Sequence, residues 1–233
     1  RNLKVYWNNF SLTDGGGNTY INLINPINVN SAEILKGAAA SMYGAGTGGV
    51  VLLNSPQSFS QNHISTFNSQ IKIGSYNLFE ENVQYHYSNS KTSILLSQNH
   101  FQSNGFREQS ASNKNVVLLN SFFKAKKHLL ELFVFNTSLY YQTPGGITYE
   151  QMLQNSTLSR QATTTLPSAI QQKTAVYNNT FYIGVADEFK INENLKSSIN
   201  LAFDKTNYAN PFITNYEKRN ENNLNLSGKF FYN

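Results

Sequence analysis

Apolar and polar residues alternate along most of the chain after residue 56. In residues 79–87 the apolar or aromatic side chains occupy every second position, and only Glu81 interrupts the period. Residues 195–204 repeat the pattern, with Ile199, Leu201 and Phe203 on one face. Successive side chains of a strand point to opposite faces of its sheet. The pattern therefore predicts strands with one apolar face and one polar face.

Eight such strands are predicted in the second part of the chain. They cover residues 62–74, 76–88, 91–103, 113–125, 128–141, 176–190, 195–206 and 222–233. Short connections at residues 88–90, 126–127 and 191–194 alternate with longer ones at 104–112, 142–175 and 207–221. Strands of this length suit a tilted crossing of a bilayer, and the asymmetry is typical of a barrel with one end in the periplasm.

A soluble β-sandwich would show the same alternation, so the aromatic residues decide between the two architectures. They crowd toward the predicted strand ends, as the interfacial girdles of a membrane barrel require. The residues concerned are Phe122, Phe123, Phe133, Phe135, Tyr140, Tyr141, Tyr177, Phe181, Phe230, Phe231 and Tyr232. The pattern thus favours a membrane barrel. We expect residues 199, 201 and 203 to face lipid and residues 198, 200 and 202 to face the lumen.

The first 56 residues follow a different pattern, with shorter elements and more glycine. Predicted strands at residues 3–7 and 10–12 are joined by a turn at Asn8-Asn9. Residues 29–54 then predict a strand, a small helical turn at 38–43 and an apolar strand, separated by glycines. The composition changes at residue 57. We therefore predict one unit at residues 1–56 and a second at residues 57–233.

The glycines from Gly44 to Gly49 have the spacing of a dinucleotide-binding fingerprint. That fingerprint needs a strand before it and a helix N-terminus after it to hold pyrophosphate. Here a helical turn precedes the glycines and a strand follows them. The context rejects nucleotide binding and favours a tight turn, in which glycines take positive φ or let backbones approach closely.

Three short motifs in the same segment carry a resemblance to a known family. They are Glu33-Ile34-Leu35-Lys36-Gly37, Ser41-Met42-Tyr43-Gly44 and Gly48-Gly49-Val50-Val51. Together they resemble the plug domain of TonB-dependent outer-membrane receptors. The resemblance implies a mainly β fold, with the C-terminal part of a small α/β plug at residues 1–56 and about eight first strands of a plugged transmembrane antiparallel β-barrel at 57–233. We expect a fragment, because plugged transporters need roughly 22 strands.

The resemblance also implies a function, a location and partners. Receptors of this family import ferric chelates, either siderophores or ferric citrate, across the outer membrane of Gram-negative bacteria. The TonB–ExbB–ExbD energy-coupling complex drives the import, and outer-membrane lipid and lipopolysaccharide surround the barrel. The alternatives are a receptor for another nutrient, such as a glycan or cobalamin, and a structural or adhesive outer-membrane barrel without transport.

Candidate substrate-binding residues lie in loops. The first set is the glycine-rich loop Asp14, Gly15, Gly16, Gly17, Asn18, Thr19 and Tyr20, which the resemblance places at a plug apex. Exposed glycine amides can form an anion-binding concavity. The second set is Arg107, Gln142 and Thr143 in the longer barrel loops, where Arg107 adds positive charge. A helix start is the alternative for the first loop, with Asn18 as the cap and Tyr20, Leu23 and Ile24 on the buried face.

Glu33 and Lys36 are the charged pair predicted to make an ionic contact between plug and barrel. Charges that are buried against a barrel wall must be paired, and the resemblance implies that the basic residue at position 36 pairs with barrel carboxylates. The alternative is a solvated surface lysine, because lysine is seldom fully buried.

Composition argues against other classes of protein. The chain has no cysteine, and its four histidines lie far apart without metal-ligand spacing. Ser41 lacks the context of a nucleophile elbow, so no catalytic residue, metal ligand or cofactor is predicted and the protein is not expected to be an enzyme. The net charge is +5. The cluster Lys124, Lys126 and Lys127 is interpreted as a solvated turn, so no nucleic-acid partner is predicted.

Overall fold

The structure is a computed structural model that describes residues 3–14, 16–37, 42–43, 48–211 and 216–232, and it is mainly β. The described strands are β1 (Lys4–Trp7), β2 (Phe10–Ser11), β3 (Ser31–Leu35), β4 (Val50–Asn54), β5 (Ile64–Gly74), β6 (Leu78–Ser88), β7 (Thr92–Ser103), β8 (Ser112–Ala125), β9 (His128–Gln142), β10 (Ala175–Lys190), β11 (Leu195–Pro211) and β12 (Tyr216–Tyr232). Short helices α1 (Tyr149–Gln154) and α2 (Ala169–Gln172) lie between β9 and β10.

Strands β5 to β12 form one antiparallel sheet in which each strand pairs with its neighbour in the sequence. This large sheet confirms the eight predicted strands. Connections 89–91, 126–127 and 191–194 lie at one end, which we call the short-turn end. The longer connections 104–111 and 143–174 lie at the opposite, long-loop end.

The predicted long connection at residues 207–221 is wrong. Strand β11 continues to Pro211 and β12 begins at Tyr216, and these two residues are partners in the antiparallel register. The segment contains polar residues on both faces, so it carries no hydrophobic alternation. Backbone pairing with the neighbouring strand nevertheless extends the ladder to its end.

The two faces of the large sheet differ as the alternation predicts. On β11, Leu201 is 44% exposed whereas its neighbour Asn200 is 6% exposed. The buried face packs against the N-terminal unit. The girdle assignment of Phe122, Phe133 and Phe135 is wrong, because all three side chains lie on this inner face and are almost fully buried. An apolar inner face is expected where a second unit packs against the sheet.

The N-terminal unit is a small sheet with strand order β2-β1-β4-β3. Strands β1 and β4 are parallel, and the other pairs are antiparallel. The predicted turn at Asn8-Asn9 is confirmed, and Asn8 has a φ of 50°, a conformation that asparagine tolerates. The predicted apolar strand is present as β4, which begins at Val50 directly after Gly49 with a φ of 107°. Most of the predicted helical turn at 38–43 lies outside the described residues.

Aromatic side chains join the small sheet to the large one. The ring of Trp7 lies 5.3 Å from that of Phe133, and the ring of Phe10 stacks on Phe133 at 5.4 Å. The hydroxyl of Tyr182 donates to the carbonyl oxygen of Ser11 at 3.1 Å. Trp7, Phe10 and Phe133 are all fully buried. The core of the molecule therefore lies between the two sheets.

Gly184 on β10 makes room for this contact. A Cβ atom at this position would lie 2.5 Å from Cε1 of Phe10, which is closer than carbon atoms pack. A strand glycine commonly marks a place where another part of the chain approaches closely. The absence of a side chain at Gly184 therefore leaves the space that the Phe10 ring occupies on the inner face, and we call this space the seat of the ring.

The connection between β9 and β10 begins with the short helix α1. Thr148 and Gln151 form a capping box at the start of α1, and the helix ends at Gln154. Nowhere in the described residues is a helix long and apolar enough to cross a membrane.

Candidate functional site

The glycine-rich loop closes on itself through Asp14. A carboxylate oxygen of Asp14 accepts from the Asn18 amide at 2.8 Å, and its carbonyl oxygen accepts from the Gly17 amide at 3.0 Å. Gly17 has a φ of 78°, so the turn needs a glycine there. The Gly17 amide is therefore already used inside the loop. Gly15 lies outside the described residues.

The predicted capping role of Asn18 is wrong. The helical element that follows is a 3-10 turn at Ile21–Leu23, its N-cap is Tyr20, and no side chain caps it. Asn18 bonds to Asp14 instead, because a short polar side chain can close a local turn. The expected buried face is confirmed for Leu23 and Ile24, which are each 6% exposed, whereas Tyr20 is only partly buried.

Tyr20 connects this loop to strands β11 and β12 near the long-loop end. Its hydroxyl oxygen accepts a hydrogen bond from the guanidinium of Arg219, and its ring lies 5.5 Å from the ring of Tyr208. Burial raises the pKa of the Tyr20 phenol above its usual value, although Arg219 opposes the shift. Arg219 also pairs with Glu217 and Glu221 at 2.8 and 2.9 Å. Sequence reasoning missed Arg219 because it lies inside the segment that was predicted as a loop.

The remaining loop candidates hold two loops together. Arg107 donates to the carbonyl oxygens of Leu158 and Gly145 at 2.9 and 2.8 Å. Gln142 accepts from the Ala111 amide at 3.0 Å, and Thr143 exchanges hydrogen bonds with Thr174. Arg107 therefore stabilises the contact between connections 104–111 and 143–174, and its charge is directed at carbonyl groups.

A cavity of about 470 Å³ lies between the small sheet's 3-10 turn and strands β7 to β9. Asn22 lines it on one side, and Phe101, Tyr141 and Gln142 line the other. Lys114 reaches across the cavity, donating weakly to the carbonyl oxygens of Asn22 and Ile24 at 3.4 Å. This volume falls in the range of small-molecule sites. Of the predicted residues, the structure brings Gln142 to this cavity.

The charges at the long-loop end are divided between two regions. Lys114 lies beside the cavity on β8, whereas Asp204, Glu217 and Glu221 lie on β11 and β12 near Asp14. Asp204 accepts a hydrogen bond from Asn223 at 2.8 Å and is 8% exposed. Like charges raise the free energy of a bound anion and opposite charges lower it. Arg219 offsets Glu217 and Glu221 on the β11–β12 side, and Glu80 on β6 interacts with the charge of Lys114. Lys114 is the cation that lines the β7–β9 cavity.

A second polar contact between the two sheets lies nearer the short-turn end. Glu131 on β9 is 3% exposed. Its carboxylate accepts hydrogen bonds from the side-chain amides of Asn8, Asn9 and Asn120, the last two at 3.3 and 2.8 Å. Amide donors compensate the buried carboxylate, as a buried charge requires. A lone glutamate in the apolar run of residues 129–135 was the available sequence signal.

Comparisons with known proteins give this arrangement its context. Residues 1–51 match the family model described as the TonB-dependent receptor plug domain. The large sheet follows this segment and packs around it, as a barrel wall does around a plug. The chain has the plug and barrel-wall fold of TonB-dependent receptors. We therefore call the small sheet and its loops the plug, and the large sheet the barrel wall.

Solved structures share this plug and barrel-wall arrangement. The ferric citrate transporter FecA in its unliganded form has a TM-score of 0.61 and 15% identity, with 88% of this chain and 30% of that chain covered. The copper transporter OprC has a TM-score of 0.67 and 13% identity, with 89% of this chain and 30% of that chain covered. The pyoverdine outer membrane receptor FpvA from Pseudomonas aeruginosa PAO1 has a TM-score of 0.64 and 11% identity, with 89% of this chain and 31% of that chain covered. The chain thus spans about 30% of the length of these receptors. Comparison with curated protein sequences finds no match.

The predicted ionic contact of Glu33 and Lys36 between plug and barrel stays a prediction. Both residues are exposed, on or beside the edge strand β3 of the plug. No ion pair among the described residues includes either of them. Among the plug–wall contacts that are present, a buried carboxylate is held in the one between Glu131 and the Asn8-Asn9 turn.

Chemical groups for metal binding are sparse. Across the described parts of the chain, no three histidine, aspartate or glutamate residues are placed to hold a metal ion. His128 pairs with Asp187 at 2.7 Å and stacks on Phe189. That pair lies on the wall away from the plug, so we assign it no role in the candidate site.

The Glu131 contact gives a testable prediction about plug docking. Replacing Glu131 with Gln puts an amide donor where three amides already donate, so we expect a loss of about 1–3 kcal/mol in docking free energy. Hydrogen exchange of the β1 and β2 amides in the full-length receptor measures this loss. Glu193→Gln in the exposed turn 191–194 is the matched control and should leave the protection unchanged. Unchanged protection in the Glu131 variant would show that the amides do not depend on the carboxylate.

Proposed function

We propose that this chain belongs to a receptor that imports a ferric chelate, a siderophore or ferric citrate, across the outer membrane of a Gram-negative bacterium. Energy would come from the TonB–ExbB–ExbD complex, as in the family that the plug segment matches. The observation that carries the proposal is the cavity between the plug and wall, at the end of the sheet where the long loops lie. Such barrels have long extracellular loops and short periplasmic turns.

The chemistry of the cavity favours an anionic, partly aromatic ligand. Lys114 supplies a positive charge, and its two bonds to plug carbonyl oxygens are long enough to be exchanged for a stronger acceptor. Phe101 and Tyr141 offer ring faces, and Gln142 offers an amide. Ferric chelates with carboxylate or catecholate groups present these complementary features. The protein is thus proposed to be a transporter and not an enzyme.

The glycine-rich loop is proposed to contact the ligand from the opposite side of the plug, where Asp14 and Gly17 line a separate pocket with Asn200 and Asn225 of the wall. Asp14, Asn18 and Gly17 give it a fixed shape through their mutual hydrogen bonds. Exposed Gly16 and the half-buried Thr19 and Tyr20 then present the plug to the space below the loops. Arg107 and Thr143 contribute indirectly, because they position the loops above the cavity.

Binding of ferric chelates to the full-length receptor tests the proposal. We expect Lys114→Gln to weaken binding of the cognate chelate about tenfold, because a charge-assisted hydrogen bond is lost. Lys205→Gln on β11, which points away from the plug, is the matched control and should leave binding unchanged. Loading with chelate should also increase hydrogen-exchange protection of residues 14–20.

Three results would contradict parts of this proposal. Equal affinity of wild type and Lys114→Gln for every ferric chelate would remove the cavity from the site. Binding of cobalamin or a glycan alone would favour the other nutrient receptors. A full-length protein that binds none of these ligands would support a structural or adhesive barrel.

A further inference from the structure

Six lysines lie at the short-turn end of the barrel wall, and all six are exposed. They are Lys91, Lys124, Lys126, Lys127, Lys190 and Lys196. They come from three successive connections and the strand ends beside them. The cluster Lys124, Lys126 and Lys127, taken alone, forms a solvated turn. The fold adds three further lysines from separate parts of the chain to the same rim.

Backbone hydrogen bonds fix the spacing of this lysine rim. The Lys124 amide donates to the Lys91 carbonyl oxygen at 2.7 Å, and the Lys190 amide donates to the Lys127 carbonyl oxygen at 2.9 Å. Neighbouring turns are thereby tied to each other. Five of the six lysines line one concavity of about 290 Å³ at the strand ends. The rim is therefore a preformed basic surface.

The positive charge of the rim is only partly compensated. Within the described residues, none of the six lysines forms an ion pair. Lys124 lies 3.5 Å over the ring of Phe59, and Lys127 donates to the Ile191 carbonyl oxygen at 3.3 Å. Glu188 lines the concavity, and its carboxylate also accepts from Asn9 of the plug. An excess of exposed cations attracts an anionic partner.

The position of the rim along the strands identifies the kind of partner. Outward-facing Phe123, Phe230 and Tyr232 are exposed at this same end, 39%, 75% and 79% respectively. Aromatic residues of barrels collect where the acyl chains of the bilayer meet the headgroups. Lys196 is the register partner of Phe231, and Lys124 follows Phe123 directly. The lysines thus lie at or just beyond the level of the lipid headgroups.

We propose that the lysine rim binds the phosphate groups of anionic phospholipids in the membrane leaflet at the short-turn end. The inference rests on the proposed insertion of the wall in a membrane. Basic residues beside a membrane surface bind anionic lipids, and each contributes additively. The concavity lies at the strand ends, where His128 and Phe189 of the outward face and Leu129 and Glu188 of the inner face all line it. An acidic soluble protein would leave the exposed rings of Phe123, Phe230 and Tyr232 beside the rim without a partner.

The full-length receptor in bilayers of phosphatidylcholine with added phosphatidylglycerol or cardiolipin tests this inference. Lipids retained by the receptor are identified by native mass spectrometry. We expect the wild type to enrich the anionic lipids. A variant in which four rim lysines, Lys126, Lys127, Lys190 and Lys196, are all replaced with Gln should reduce that enrichment about tenfold. The matched control replaces Lys72, Lys173, Lys205 and Lys218 at the long-loop end with Gln and should keep the enrichment.

Several outcomes separate the explanations. Equal enrichment in the wild type and the rim variant would overturn the inference. A loss of enrichment in the control variant as large as that in the rim variant would also overturn it, because it would indicate a general effect of net charge. Displacement of the retained lipid by soluble polyglutamate at low concentration would overturn it in favour of an acidic protein partner. Binding of ferric chelate, measured on the same samples, shows separately whether the proposed function holds and whether the variants are folded.

Discussion

Replacing Phe10 with Ala in the full-length receptor should weaken the docking of the plug on the barrel wall by about 3–5 kcal/mol. Phe10 is fully buried between Phe133 and Tyr182, with ring centroids at 5.4 and 6.2 Å. The variant loses the transfer free energy of the ring and leaves a cavity in the core. Hydrogen exchange of the β1 and β2 amides in the full-length protein measures the loss.

Gly184 supplies a second arm of the same experiment. Gly184→Ala should cost about 1–3 kcal/mol, because its Cβ collides with the Phe10 ring. In the Phe10→Ala background the same change should cost almost nothing, because the colliding atoms are gone. Gly228→Ala is the control, since its Cβ would lie 4.0 Å from the carbonyl oxygen of Ser198, at ordinary van der Waals distance. Equal costs of Gly184→Ala in both backgrounds would show that the Phe10 ring does not occupy this seat.

The sequence predicts the wall well because its strands have one apolar face. Each of the eight predicted strands is present, and the alternation at Leu201 and Asn200 agrees with their exposure. The signal ends where both faces become polar. Arg219 and Glu217 therefore fell in a predicted loop, although β12 begins before them.

The polarity of the inner face of the wall is less predictable from the sequence, because it depends on which part of the plug packs against each position. Phe133 and Phe135 have the spacing of outward girdle residues, yet they face inward because Trp7 of the plug packs on them. Such contacts join residues more than a hundred positions apart, and local pattern carries no information about them. The same limit explains why the sequence selected Arg107 and missed Lys114.

Loop chemistry was predicted by residue type, and hydrogen bonding then decided the roles. Glycine amides and an arginine are reasonable anion donors. The structure shows the Gly17 amide bonded within its loop and the Arg107 guanidinium bonded to two carbonyl groups. A donor that is already satisfied gains little from a ligand. Lys114, with two long bonds, is therefore the better candidate for the ligand charge.

The two faces of β11 give the second large expected effect. Leu201 is exposed on the outward face beside Val185 and Leu226, its partners on the neighbouring strands. Leu201→Arg should therefore destabilise the refolded full-length receptor by roughly 2–4 kcal/mol if the residue lies at the bilayer midplane. A guanidinium group at that depth loses its hydration, and the surrounding apolar residues offer no acceptor.

Asn200→Arg on the opposite face is the matched control. Asn200 faces a polar cavity of about 390 Å³ between plug and wall, where Ser227 already accepts its hydrogen bond at 2.8 Å. An arginine there retains water and polar neighbours, so its effect should be far milder than that of Leu201→Arg. Refolding titrations of both variants into lipid vesicles measure the difference. Equal destabilisation would contradict the assignment of an outward lipid face and an inward lumen face, and with it the membrane orientation on which the lysine rim depends.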